Sequence, residues 1–381
     1  MTMEEASAAQ PKEKNSGEFF AVERPTLERV INHGMNAAVA YLVLASGSFR
    51  LTGITKWSVN SIEKYTSISR KKAKAAVKLL CDEKYIEQTQ SGSSPIYKIL
   101  PFHEIGGDYF YFTKAKKKKT EPPEPDYIWM PNSLITGVGD EIPPIEKIRQ
   151  TGDKNILALF TDFYHVHDLI TDGGIPRTII YGSYEREKIG EWEQFIVWGF
   201  AFNNPTYYQQ NDVMSRQHQD RADMSKEEKQ KGVDLVFSRL DTLEILGLIE
   251  WIPYLFESED KDAEIRHPCD YDYYNAADKV EPTTIEQQIG AAAHIAGFNM
   301  LTIGQQQRAV DMLGDDVILC PVPKHMKDAA MIGIAKLKYR PKTTLTKAWY
   351  AELEKTGEKT ILEFQQLTNK AIGNSEQRKA V

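Results

Sequence analysis

The sequence predicts an α+β protein, on three observations. Apolar residues recur at helical spacing in several long stretches, and short β-branched or aromatic runs lie between them. With 41% apolar and 27% charged residues, the chain can build a sizeable core and is not disordered throughout. At 381 residues it suggests two or three domains. Formal net charge is −7, from 47 Lys and Arg against 54 Asp and Glu. That total conceals an asymmetry. Residues 56–120 carry 14 Lys and Arg against 6 Asp and Glu, whereas the remainder carries 33 against 48. A basic block inside an acidic chain points to one surface made for an anionic partner.

Taken in order, residues 1–24 read as a disordered leader, polar and of both charge signs, unlike a signal peptide. Residues 25–112 form a compact pattern of helices followed by strands. Leu27, Ile31, Met35, Ala38, Val39 and Leu42 predict one helix ending near Ser46-Gly47. A short helix from about Ser58 to Tyr65 follows, and then a longer one from Ser69, a good N-cap, to about Glu83. Strand-like runs at 85–89 and 96–100 flank Ser91-Gly92-Ser93-Ser94-Pro95, the loop of a hairpin. Residues 113–126, containing KAKKKKTEPPEP, read as a Lys- and Pro-rich linker. Two further units are expected, 127–268 and 280–372. Cys81, Cys269 and Cys320 are too few and too scattered for a disulfide framework or zinc ribbon, and suit a reducing cytoplasm. No apolar run reaches the length of about 18–20 residues that spans a bilayer.

On a helical wheel from Arg70, the residues Ala73, Ala76, Val77 and Leu80 form one stripe, which must be buried. Lys71, Lys74 and Lys78 gather opposite, with Arg70 at their edge. A short helix, a turn and a second helix with one apolar and one basic face make a helix-turn-helix. The segment SVNSIEKYTSISRKKAKAAVKLLCDEKYIEQTQSGSSPIYKI resembles the winged helix-turn-helix superfamily of bacterial, plasmid and phage DNA-binding proteins. Thr66-Ser67-Ile68-Ser69 matches the turn, Arg70 to Leu80 the recognition helix, and Glu87 to Leu100 the wing. Ser67 departs from the glycine often found there, and a left-handed backbone would cost more with serine. The resemblance implies double-stranded DNA as partner. Ser69 would orient on phosphate, Arg70 and Lys71 would lie nearest base edges, and Lys74 and Lys78 would grip the backbone. Lys98 on the hairpin is a further contact. A solvated surface, or a winged helix serving only protein interaction, is the competing reading. The four lysines Lys116–Lys119 read first as solvated linker and second as an arm on phosphates.

In the second unit, Ile156 to His167 predict a buried helix stopped by Asp172-Gly173-Gly174. A strand is expected at 178–181, a short helix at 184–190 and an aromatic run at 195–202. LDTLEILGLIEWIP resembles the end of a recognition helix with its first wing strand, which predicts a diverged second winged-helix-like unit with an insertion near 191–224. Tandem winged helices are similar in architecture to replication initiators. His165-Val166-His167 matches the histidine–hydrophobe–histidine signature of relaxases, with Tyr184, Tyr207 and Tyr208 as possible nucleophiles. That chemistry needs both imidazoles on one face of a strand, and the helical spacing of their neighbours throws them about 200° apart, one inward and one outward. The third unit, a small α/β unit, begins with a capping box at Thr283 and Glu286, has strands at 317–321 and 331–337, and ends in helices over 344–354 and 361–372. The acidic stretch Glu257–Glu264 reads as an exposed loop, and Tyr271–Tyr274 as packing.

These features together predict a cytoplasmic, sequence-specific double-stranded DNA-binding protein, a transcription regulator or a plasmid or phage replication initiator, acting as a homodimer. No catalytic residue, metal site, cofactor or membrane contact is expected. A metal-dependent nicking nuclease and a scaffold without DNA are the alternatives.

Overall fold

The computed structural model describes residues 18–49, 52–106, 125–170, 172–201, 205–209, 225–270, 282–314, 316–341 and 343–379. It is an α+β protein that divides into two compact units between Lys154 and Asn155. Lys116–Lys119, Tyr271–Tyr274 and residues 1–17 lie outside the described residues.

The first unit opens with strand β1 (Phe19–Glu23), where a disordered leader to residue 24 was expected. Its alternate residues Phe20 and Val22 are buried, so apolar burial orders a segment that composition alone reads as a tail. One expected helix is two, α1 (Arg24–Asn32) and α2 (Met35–Ser46). The break falls at Gly34, whose φ of 107° no helix admits and few other residues tolerate. Helix α2 is buried almost all round, from Ala37 to Ser46, and forms the centre of the unit. After a short strand β2 (Ile54–Thr55) that the sequence reading does not include, helices α3 (Val59–Thr66) and α4 (Arg70–Asp82) and strands β3 (Ile86–Gln90) and β4 (Ile96–Ile99) follow as the sequence pattern predicts, with the hairpin loop at 91–95. The three strands make one antiparallel sheet in the order β2-β4-β3.

The first unit does not end at the linker. Strand β5 (Tyr127–Pro131) pairs antiparallel with β1, Phe19 opposite Pro131 and Glu23 opposite Tyr127. Ile128 and Met130 face inward, and the short helix α5 (Ser133–Thr136) and α6 (Pro144–Thr151) add buried Leu134, Ile135, Ile145 and Ile148. The expected boundary at 113–126 therefore lies inside the compact unit, and residues 127–154 belong to it.

The second unit begins along α7 (Lys154–Val166) and carries two antiparallel sheets. The first sheet has the order β11 (Ile265–Pro268), β10 (Ile249–Phe256), β13 (Ala330–Leu337), β6 (Ile180–Ser183), β9 (Thr206–Gln209). The other has β12 (Val317–Pro323), β8 (Phe195–Ala201) and β7 (Arg186–Trp192). Strand β13 lies between β10 and β6, so the two units expected at 127–268 and 280–372 share a sheet. They also share a core, in which Phe200, Leu255 and Cys269 meet Ile289, Ala293, Ile318, Cys320 and Phe364. Residues 186–190 form strand rather than helix, because Arg186 to Trp192 find a ladder partner in β8. Helix α8 (Lys226–Ile245) leads through Gly247, at φ 68°, into β10, the predicted helix stop followed by a strand. The acidic stretch after Phe256 is the exposed β10–β11 connection.

Helix α9 (Ile285–Met300) is capped by Thr284 and Gln287, one residue later than the box predicted, and α10 (Ile303–Leu313) follows. The two expected terminal helices are one, α11 (Thr344–Lys379). Gly357, between the two expected helices, is buried against Ile285 and Ile289, a close approach that only glycine allows. No described helix is long and apolar enough to cross a membrane.

Candidate nucleic-acid interface

The turn between α3 and α4 fixes the angle at which α4 leaves its support. Ser67 sits at the C-cap of α3 in the left-handed region, φ 51° and ψ 24°, and its N–H donates to Glu63 O at 3.0 Å. Ile68 beside it is buried and pins the turn to the core, while the Ile68 N–H donates to Thr66 Oγ1 at 3.3 Å. Ser69 occupies the N-cap position of α4, but its side chain makes no capping hydrogen bond, so its hydroxyl is exposed and is not the local anchor that the sequence suggests.

From this turn α4 runs as the wheel predicts. Ala73, Ala76, Val77 and Leu80 are buried, and Lys71, Lys72, Lys74, Ala75 and Lys78 are exposed. Lys72 extends the basic set beyond the lysines singled out from the sequence. Among the described residues none of these four lysines is in an ion pair. Ala75 lies one turn from Lys71 and Lys78, and its methyl group leaves the helix backbone open between their stems.

Arg70 differs from the lysines. Its Nη1 donates to Asn60 Oδ1 at 2.8 Å and to Glu63 Oε2 at 2.9 Å, both on α3. Its side chain remains 59% exposed. Asn60 and Glu63 were not among the expected site residues, since they lie on a different helix, ten and seven positions away. Trp57 stacks on Tyr65 with centroids 5.0 Å apart, and Lys64 Nζ lies 4.9 Å from the Tyr65 centroid. Tyr65 and Lys64 are on α3, and Trp57 lies just ahead of it.

Lys98 is half-buried on β4, and its Nζ pairs with Glu104 Oε2 at 3.3 Å, so part of its charge is neutralised within the unit. The hairpin residues Glu87 to Ser94 are all exposed. The structure thus brings Ser69, Arg70, Lys71, Lys74 and Lys78 onto one exposed stretch, and leaves Lys98 on the neighbouring sheet with a partner of its own.

The residues of the competing nuclease reading lie in the second unit. His165 is in the last turn of α7, and His167 follows the helix, so the two imidazoles do not share a strand face. Both are half-buried, where one was expected inside and one outside. His167 Nε2 is buried with no hydrogen-bond partner among the described residues. Burial, aided by the Arg340 and Lys336 charges and opposed by Asp168, pushes its pKa down to about 4. Tyr207 lies between Phe237 and Trp251, with ring centroids at 5.8 and 4.8 Å. Its burial, then Glu244 and Asp241, push the phenol up to about 12, against easy deprotonation. Tyr208 stacks on Tyr181 at 5.0 Å, and Tyr184 is buried. Among the described residues no group of three or more His, Cys, Asp and Glu side chains is placed to hold a metal ion.

Comparison with family models, curated proteins and solved structures finds no match to this chain.

Proposed function

We propose that the first unit is a winged helix-turn-helix that binds double-stranded DNA, with α4 in the major groove and the β3–β4 hairpin as its wing. The observation that carries this reading is the set of cations Lys71, Lys72, Lys74 and Lys78, in no ion pair among the described residues, on the exposed side of a helix whose other side is buried. A helix that enters a groove lined with phosphates needs donors and positive charge outward, and small residues where it packs. Lys74 and Lys78 hold the backbone, Arg70 and Lys71 face base edges, and Ser69 lies by a phosphate at the helix start. The protein acts as a homodimer in a reducing cytoplasm, where Cys81, Cys269 and Cys320 stay free thiols. Its role is sequence-specific, in transcription control or in initiating replication.

If about four of these groups neutralise phosphates, log affinity falls against log salt with a slope of roughly −3.6. Lys74→Glu with Lys78→Glu reverses two exposed charges without touching the buried stripe. The double variant should lose binding to every duplex at 0.1 M salt and keep the circular dichroism of the parent. Unchanged gel-shift behaviour in a folded double variant would overturn the docking of α4.

A further inference from the structure

We infer that Arg70 reads a guanine, and that Asn60 and Glu63 are positioning residues that aim it. The inference rests on the duplex-binding reading and adds a base preference to it. A guanidinium carries five N–H donors, two on each Nη and one on Nε. The two on Arg70 Nη1 meet two acceptors, Asn60 Oδ1 at 2.8 Å and Glu63 Oε2 at 2.9 Å. What remains is the edge formed by Nε and Nη2, two parallel donors on a side chain still 59% exposed. That fork matches the O6 and N7 acceptors of guanine in the major groove, and adenine offers a donor where guanine offers O6. A lysine ammonium has no such planar edge, so Lys71 beside Arg70 discriminates less between bases, and Lys74 and Lys78 grip phosphate without choosing a base.

The second helix in the arrangement matters because it removes freedom in advance. Arg70 is the first residue of α4, and both of its acceptors project from α3 across the turn at Ser67. Holding one side of the guanidinium fixes its plane relative to α4, and a planar group held in this way discriminates better than one that must be ordered on contact. Glu63 has a cost in the same place. Its carboxylate stands where phosphates approach, so it trades some general attraction for aim.

The test uses the full chain and selection from a random duplex library at one fixed salt concentration, with affinities then measured on the selected site and its single-base variants. The parent should show a position that demands guanine by about tenfold over the other bases. Arg70→Lys keeps the charge and should flatten that position alone, leaving the salt slope as in the parent. Glu63→Gln should act in two opposite directions, lowering discrimination at that position several-fold while strengthening binding to unrelated duplex. A residue that merely supports the fold would weaken both together, which would overturn the positioning role. A guanine preference that survives Arg70→Lys overturns the inference, as does salt-dependent binding with no guanine position. Failure of the parent to bind any duplex overturns the proposed function itself, and this inference with it.

Discussion

Ser67 and Lys84 stand at the two ends of the same structural device, one closing α3 and the other closing α4. Both adopt the left-handed region, at φ 51° and 61°, where an L side chain crowds its own backbone at a cost of roughly 1–2 kcal/mol. At the second site Lys84 N–H donates to Cys81 O at 3.0 Å and Tyr85 N–H to Leu80 O at 2.9 Å, the paired bonds of a glycine-type helix end. Glycine would remove the crowding but widen the unfolded ensemble by about 0.4–1 kcal/mol per site. The double variant Ser67→Gly/Lys84→Gly should therefore be more stable by about 1 kcal/mol, seen as a higher urea midpoint. A lower midpoint would show that the serine and lysine side chains contribute more than their backbone strain costs.

Two imidazoles set a second residue-scale expectation. Burial pushes both His167 and His294 down to about 4, and His294 Nδ1 accepts the Leu319 N–H at 3.2 Å, a bond that protonation there would break. With the folded pKa below the unfolded value of about 6.5, the unfolded chain binds more protons between these limits, so stability falls as pH drops from 6.5 toward 4. At pH 5 the loss should be on the order of 2 kcal/mol for each histidine. The variant His167→Gln/His294→Gln should lose less stability between pH 7 and pH 5 than the parent, by urea titration at each pH. Equal losses would place the acid sensitivity elsewhere.

At the scale of elements, β12 is the edge strand of its sheet, and α9 covers it. Besides the His294 contact, the close approach depends on Gly297, where an added Cβ would stand 2.8 Å from Leu319 O and 3.0 Å from Leu319 Cβ. Alanine should favour an isolated helix by about 0.8–1.0 kcal/mol. Here the overpacking against a strand backbone, about 1–3 kcal/mol, should win, so Gly297→Ala should lower the urea midpoint. A gain in stability would mean that α9 can move off β12 freely.

The same pairing of local pattern and distant contact decides what could be read from the sequence. The elements that needed only their own residues were legible: α3, α4 and the hairpin came from caps, wheel and turn residues within 45 positions. Residues 186–190 were misread because their strand character depends on β8, and the break at Gly34 was missed because apolar spacing runs straight through it. The helix running unbroken through 355–360 depends on α9, where Gly357 packs against Ile285 and Ile289, some 70 positions away. The interface divides likewise. Its lysines sit on one wheel, whereas the hold of Asn60 and Glu63 on Arg70 depends on the angle between two helices, which no wheel contains.

For the whole molecule, the pairing of β1 with β5 has a direct consequence for where the chain can be divided. The two strands lie on opposite sides of residues 113–126, and each supplies buried side chains on one face: Phe20 and Val22 from β1, Ile128 and Met130 from β5. Glu23 is buried at the end of β1, accepting from the Phe102 N–H and from Thr26 Oγ1 at 3.5 Å, so the ribbon is also tied to the segment that leaves β4. A fragment cut within the proline-rich stretch, residues 1–125, keeps α3, α4 and the hairpin but loses β5, α5 and α6. It leaves β1 without its ladder and exposes the apolar face that Leu134, Ile135, Ile145 and Ile148 complete. Residues 1–154 keep all of these. The longer fragment should unfold cooperatively in urea and bind duplex DNA as a monomer, with a salt slope about half that of the dimeric full chain, whereas 1–125 should lack a cooperative transition and bind no duplex. If 1–125 unfolds as sharply as 1–154, the β1–β5 ribbon is an ornament on an already stable core, and the boundary belongs at the linker after all.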